Sequence, residues 1–281
     1  MSGVTVGLQL GCHQGEMARM REAWVEAEVL GVDRLWASDH CNAVVTDEEF
    51  MNSTNDGSHS RGSGLNVFEG STVQAAMAAT TERVEIGCLV QSNAYRNPRL
   101  LAYMANTIDQ IAGGGRYILG VGTGFLKEDF ATLQIPHGSQ KERSEQLARD
   151  VPIMLDHLET LTPAPVRKMP LLLATMGEKI GLPLAARYAD LWHVYGPFAK
   201  VQEKTERLRE ICGEVGRDPD EIELTTYYMP RAINGPEDTL ENYVKLGMRH
   251  IIVVAEGPNW DLGELREAVQ WRDQLAATPA A

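Results

Sequence analysis

At 281 residues, 31.0 kDa and 43% hydrophobic side chains, the chain fits one large domain, close to the roughly 250 residues usual for an eight-stranded α/β barrel. A formal charge of −13 argues against nucleic acid or an anionic membrane surface as partners, because both are held by basic patches. No run approaches the roughly 18 apolar residues of a spanning helix, the start lacks a signal peptide's basic region, and Cys12, Cys41, Cys88 and Cys212 have neither framework nor metal spacing; a reduced cytoplasmic protein is expected.

Val4, Val6, Leu8 and Leu10 alternate with Thr5, Gly7 and Gln9, giving a first strand with two distinct faces. Met17, Met20, Trp24 and Ala27 mark a helix that closes at Gly31, and residues 34–37 form a second strand ending in Ser38-Asp39-His40. From Cys41 to Asn66 periodicity disappears and Gly, Ser, Asn and Asp dominate. A loop this long suits an active-site lid or a surface insertion, and its Asn52, Asn55 and His59 name no substrate class. Helix resumes over 69–80.

Val84 to Val90 suits a third strand. Asn97-Pro98 then places a capping side chain before a proline at the first helical position, and Leu101, Met104, Ile108 and Ile111 give that helix one apolar face. Gly113-Gly114-Gly115 stops it, and residues 117–121 start the fourth strand. Strand, helix, strand in this order is the parallel crossover unit. Ser139 and Glu142 form a capping box for a helix buried through Leu147, Val151, Met154 and Leu158. Residues 170–174 are the fifth strand, and Thr175-Met-Gly-Glu178 predicts a second capping box opening the fifth helix. Residues 190–194, 222–229 and 250–255 complete the strands. Helices follow through Val201 to Val215, from Pro236, and from near Asp261. Eight strand–helix pairs in unbroken alternation predict a single-domain (β/α)8 TIM barrel over residues 1–281.

In such a barrel the chemistry sits at the carboxyl ends of the strands. That rule nominates residues 9–13, 38–40, 89–93, 122–128, 174–179, 192–195 and 227–229. His13, His40 and His193 fall at or just after strand ends, and histidine is the side chain best suited to proton transfer near neutrality. Gly122-Thr-Gly124 gives a planar ring room for close backbone approach, short of a full dinucleotide fingerprint. Thr175, Met176 and Gly177 precede a helix, where exposed amides make an anion site; Lys179, Arg96 and Arg99 are further candidates. Glu128 reads equally as a ligand to cofactor or substrate and as a solvated helix-start carboxylate. Cys12 and Cys41 follow strand ends, but a catalytic thiol needs an electropositive setting, and incidental cysteines are the expectation.

The stretches EGSTVQAAMAATTERVEIG, AYRNPRLLAYMANTIDQIAGGGRYILGVGTGF and KEDFATLQIP, with LWASDH at 35–40 and MGEKIGLPLAARYADLWHV at 176–194, resemble the luciferase-like monooxygenase superfamily. Within it the similarity is greatest to the branch using the deazaflavin coenzyme F420. Phe125 departs from the family's usual Trp, and Ala174-Thr175-Met176-Gly177 is poorer in glycine than its usual run. The resemblance implies an F420-dependent oxidoreductase moving a hydride between reduced deazaflavin and a small organic substrate, and commonly a homodimer. It implies Asp39 beside the cofactor and His40 beside its reactive ring as proton donor or acceptor, with His13 and His193 in reserve. It also places a cis peptide between Leu89 and Val90 against the ring, and cofactor contacts at Ser92, Gly122, Gly124 and Glu128. The amides of Thr175, Met176 and Gly177 are expected to take the cofactor phosphate. An FMN-dependent monooxygenase and a noncatalytic flavin- or deazaflavin-binding barrel are the alternatives.

Overall fold

The computed structural model describes residues 3–43, 66–228 and 237–277. Residues 44–65 of the loop expected over 41–66, the strand end expected at Met229 and the helix start expected at Pro236 lie outside these residues.

The strands are β1 Thr5–Leu10, β2 Arg34–Ala37, β3 Glu85–Cys88, β4 Gln91–Ser92, β5 Tyr117–Gly122, β6 Leu171–Ala174, β7 Leu191–Val194, β8 Glu223–Tyr227 and β9 His250–Ala255. All neighbours run parallel, in the order β3-β2-β1-β9-β8-β7-β6-β5-β4, and β3 also pairs with β5. The sheet therefore closes on itself, with the third of eight staves broken into β3 and β4. This is the expected (β/α)8 barrel.

The break falls at Leu89-Val90, whose peptide bond is cis, as the resemblance implied. The third strand, expected over 84–90 with a bulge at Leu89-Val90, runs over Glu85–Cys88 and resumes at Gln91–Ser92 beyond that bond. The two halves pair with different parts of β5: Ile86 and Gly87 with Tyr117 and Ile118, Gln91 and Ser92 with Val121 and Gly122. Between them β5 approaches so closely that a Cβ on Gly120 would lie 2.0 Å from the Cys88 carbonyl oxygen; only glycine fits there.

The helices between staves are α1 Met17–Leu30, α2 Gly70–Thr80, α3 Pro98–Ile111, α4 Lys127–Thr132, α5 Gln140–Thr160, α6 Gly181–Tyr188, α7 Phe198–Val215, α8 Leu240–Leu246 and α9 Gly263–Ala277. Local chemistry starts them where expected in two cases. Asn97 caps α3 through Arg99 N, and Ser139 and Glu142 form a reciprocal capping box on α5. The box expected at Thr175 and Glu178 does not form. Helix α6 opens only at Gly181, behind Ile180, which makes no side-chain cap. A Cβ on Gly181 would stand 2.8 Å from Thr175 Cβ, so the helix start lies against the strand end and leaves that hydroxyl no amide to cap.

Two apolar layers result. One lies between helices and staves; the other fills the barrel with Trp36, Leu89, Ile118, Leu172, Leu191 and Ile252. Below them Trp36 Nε1 donates to His250 Nε2 at 3.0 Å, and His250 Nδ1 meets Thr5 Oγ1 at 2.7 Å. Burial holds this imidazole well below its ordinary pKa, so it stays neutral and spans the interior as a hydrogen-bonding strut. Arg34 closes the amino-terminal mouth through Glu85 at 2.8 Å and Glu223 at 2.5 Å. The opposite mouth stays open.

Candidate active site

A cavity of about 230 Å³ occupies the carboxyl ends of the staves. Among the expected residues, Asp39 and His40 line it after β2, and Leu89, Val90 and Ser92 around the broken stave. Gly122 and Gly124 line it after β5, and Thr175, Met176 and Gly177 after β6. Glu128 is absent from that lining, and its Oε2 is buried without a hydrogen-bond partner.

Its neighbour Asp129 matters instead, and nothing in the sequence reasoning above singled it out. Asp129 is fully buried. Its Oδ2 accepts from His40 Nδ1 at 2.7 Å and Tyr95 Oη at 2.8 Å; its Oδ1 accepts from Cys41 N at 3.0 Å and Asn42 Nδ2 at 2.9 Å. Burial alone would raise this carboxyl, but hydrogen bonds from His40, Asn42 and Tyr95 outweigh it and hold it below the ordinary carboxylate range. The carboxylate therefore fixes the proton of a neutral His40 on Nδ1 and leaves Nε2 to work at the cavity. A usable signal did exist: buried Leu126 lies three residues before Asp129 and buried Phe130 directly after it, so the period points Asp129 inward and Glu128 away.

Asp39 is held differently. Its carboxylate takes both arms of Arg96, at 2.7 and 2.8 Å, and accepts from Ser92 N at 2.9 Å. Arg96 also reaches Glu69 at 2.5 Å. The guanidinium is thus spent on two carboxylates, which removes Arg96 as the candidate for an acidic cofactor tail. Arg99 stands 3.3 Å from His157 Nδ1 and does not line the cavity. Asp39, Ser92 and Arg96 tie the ends of β2 and β4 together, so the Asp39 side chain shapes the wall.

Polar atoms without partners collect on the same walls. Ser92 Oγ, Thr175 Oγ1 and His193 Nε2 are buried and make no hydrogen bond. Such groups cost free energy unless something satisfies them, so each asks for a ligand atom. At Gly177 a Cβ would meet nothing nearer than Gly181 N at 3.9 Å, so the backbone there is open to approach. His13 lies 3.4 Å from Glu256, and both line the cavity. The four cysteines are free. Cys12 is pushed up to about 12 and Cys41 to about 11, by burial first and then by Asp39 and other carboxylates nearby, so neither is an activated thiol. Among the described residues no cluster has the makings of a metal site, and no helix is long and apolar enough to cross a membrane.

The family model for luciferase-like monooxygenases matches residues 4–280. The chain belongs to that family. The resemblance read from the sequence thus named the right family. The chain is 26% identical over 173 residues to the pyrimidine monooxygenase RutA of Enterobacter cloacae subsp. cloacae, covering 54% of this chain and 47% of the relative. It is 28% identical over 150 residues to the F420-dependent glucose-6-phosphate dehydrogenase of Amycolatopsis mediterranei, covering 53% and 40%. Each match thus spans less than half of the relative's length. Among solved structures, an F420-dependent secondary alcohol dehydrogenase in complex with an F420–acetone adduct superimposes with a TM-score of 0.72 at 17% identity, covering 94% of this chain and 98% of that one. At that identity the likeness speaks for the barrel alone.

Proposed function

We propose that the chain is an F420-dependent oxidoreductase that transfers a hydride between reduced deazaflavin and a small organic substrate. The observation that carries this reading is the His40–Asp129 pair at 2.7 Å beside a cavity with unmet polar atoms. When bound, the deazaflavin would supply two electrons as a hydride. The chain's residues do the rest. Ser92 Oγ and Thr175 Oγ1 fit polar atoms of the cofactor, and the backbone from Thr175 to Gly177 fits its phosphate. Leu89 and Val90 offer an apolar wall to a planar ring, with Gly122 and Gly124 leaving it space. His40 accepts a proton at Nε2 when an alcohol is oxidised and returns it when a carbonyl is reduced. Asp129 keeps the ring oriented and stabilises its charged form in either direction.

The same hydroxyls and amides would also hold FMN, and the RutA relative is a monooxygenase; an FMN-dependent monooxygenase is the second reading. Titration of the purified protein with F420 and with FMN, followed by absorbance, separates the two. Tighter binding of F420 and reversible reduction of it by a small alcohol are expected. Tighter binding of FMN, with oxygen consumption, would move the protein to the second reading, and binding of either without turnover to a noncatalytic barrel. A single-domain, cytoplasmic homodimer is part of the same proposal. The free cysteines are consistent with a reducing compartment, and Leu100, Tyr103 and Ile111 expose apolar surface on α3. Sedimentation of a Tyr103→Glu variant tests the dimer.

A further inference from the structure

Three rings close the cavity on the side of β7 and β8: His193, Tyr195 and Tyr227. His193 lies 4.5 Å from the Tyr227 ring, edge to face, and 6.1 Å from that of Tyr195. It pairs in register with Thr225. Side chains alternate along a stave, so His193 shares the inward face with Leu191 and stands one layer nearer the open mouth. Its side chain is 2% exposed. Nδ1 is 2.9 Å from Thr225 Oγ1, and Nε2 has no hydrogen-bond partner.

The tautomer follows from counting protons. Thr225 is fully buried, and among the described residues its hydroxyl meets only His193 Nδ1. A buried hydroxyl proton goes to the acceptor within reach, so Thr225 donates and Nδ1 accepts. The proton of the neutral imidazole is then on Nε2. His40 is wired the opposite way, with its proton on Nδ1 toward Asp129 and its working nitrogen able to accept. The two histidines present complementary chemistry to one cavity.

We propose that His193 binds the ligand directly, its Nε2–H donating a hydrogen bond to an uncharged carbonyl-type oxygen of the molecule that fills the cavity. The proposal rests on the cavity being the cofactor and substrate site. Burial alone pushes His193 down to about 3, with no charged neighbour contributing, so it remains an uncharged donor and no proton reservoir. That removes it as the reserve proton donor. A buried N–H with no protein partner carries a cost that a matching acceptor removes, which is how a buried donor discriminates between ligands. Two molecules bring such an oxygen: the ring system of a deazaflavin or flavin, through its ring carbonyls, and a ketone substrate.

The test uses the full chain with His193→Gln, which keeps an N–H donor, and His193→Leu, which does not. F420 and FMN are titrated into each protein, and the KM and kcat for acetone and cyclohexanone are measured with reduced F420. Loss of one neutral hydrogen bond predicts a weakening of about tenfold in His193→Leu, largely restored in His193→Gln. A change in cofactor Kd assigns the oxygen to the cofactor; a change in ketone KM with kcat preserved assigns it to the substrate. Neither constant moving overturns the proposal. Independently, 15N-histidine spectra of the cofactor-free protein should show His193, assigned by its loss in His193→Gln, protonated at Nε2 from about pH 5 to 8. A proton on Nδ1 would overturn the donor role. Wild-type protein that binds neither cofactor sinks the cavity reading and this inference with it, whereas normal binding in both variants with unchanged ketone KM sinks this inference alone.

Discussion

Asp129→Asn separates holding His40 from charging it. The amide is nearly isosteric, and its oxygen keeps the bonds from Cys41 N and Asn42. Its nitrogen, however, is a donor placed where Oδ2 accepted from His40 and Tyr95. Tyr95 can turn its hydroxyl to accept, and His40 can do so by moving its proton to Nε2. Two bonds to an ionised acceptor, worth about 1.5–3 kcal/mol each, become neutral ones worth about 0.5–1.5. Folding stability should therefore fall by roughly 2–3 kcal/mol, which urea unfolding measures. Cofactor affinity should stay within about twofold, because Asp129 does not line the cavity. Hydride transfer should slow far more, by about 10²–10⁴-fold, since the tautomer is wrong and the charged form of His40 loses its partner. Single-turnover absorbance, with F420 and a substrate from a reductase screen, reads this step. His40→Ala combined with Asp129→Asn should be little slower than His40→Ala alone, because the two act as one unit. A folded Asp129→Asn protein transferring hydride within about threefold of wild type would refute the assignment.

Arg96→Met leaves the Asp39 carboxylate, whose side chain is 4% exposed, without its paired guanidinium and should cost about 3–5 kcal/mol by urea unfolding; a loss under about 1 kcal/mol would show that Arg96 is dispensable. Gly177→Ala should fold and bind cofactor normally, because nothing lies within 3.9 Å of the new methyl, whereas Gly177→Pro removes one N–H and should weaken F420 binding with little change in Tm. Equal affinity in both variants would place the phosphate elsewhere. His193 and His250 are neutral in the folded protein but titrate near pH 6.5 when unfolded, so the unfolded state takes up more protons as pH falls. Stability should be full above about pH 6.5 and decline below it, His193 alone removing roughly 2 kcal/mol by pH 5. Asp129, held low, contributes its own loss only below about pH 4, so the interval from about pH 7 to 5 isolates the histidines. An unchanged slope in His193→Gln would contradict the burial argument.

Periodicity carried the fold. Alternation in β1, the cap at Asn97-Pro98 and the box at Ser139 and Glu142 are local patterns, each decided within a few residues, and the structure keeps them. The order of eight strand–helix units then leaves closure as the arrangement that buries every stave on both faces. Strand-end position pointed to Asp39, His40 and Thr175 for the same reason, and all three line the cavity. What the sequence by itself determined was where chemistry-bearing side chains would gather. Which of them touch was decided by tertiary structure alone. His40 meets a carboxylate 89 residues away, Asp39 a guanidinium 57 residues away, and His193 a hydroxyl 32 residues away. Local periodicity turns Asp129 inward, but nothing local names His40 as its partner, or gives Arg96 to Asp39 instead of to a ligand. Thr175 shows the same limit in reverse, since a capping pattern legible in four residues was overridden once Gly181 closed against the strand end. The physical reason is one of range: backbone preferences are set by near neighbours, whereas burial, and with it the protonation and pairing of each polar group, exists only after the barrel has closed.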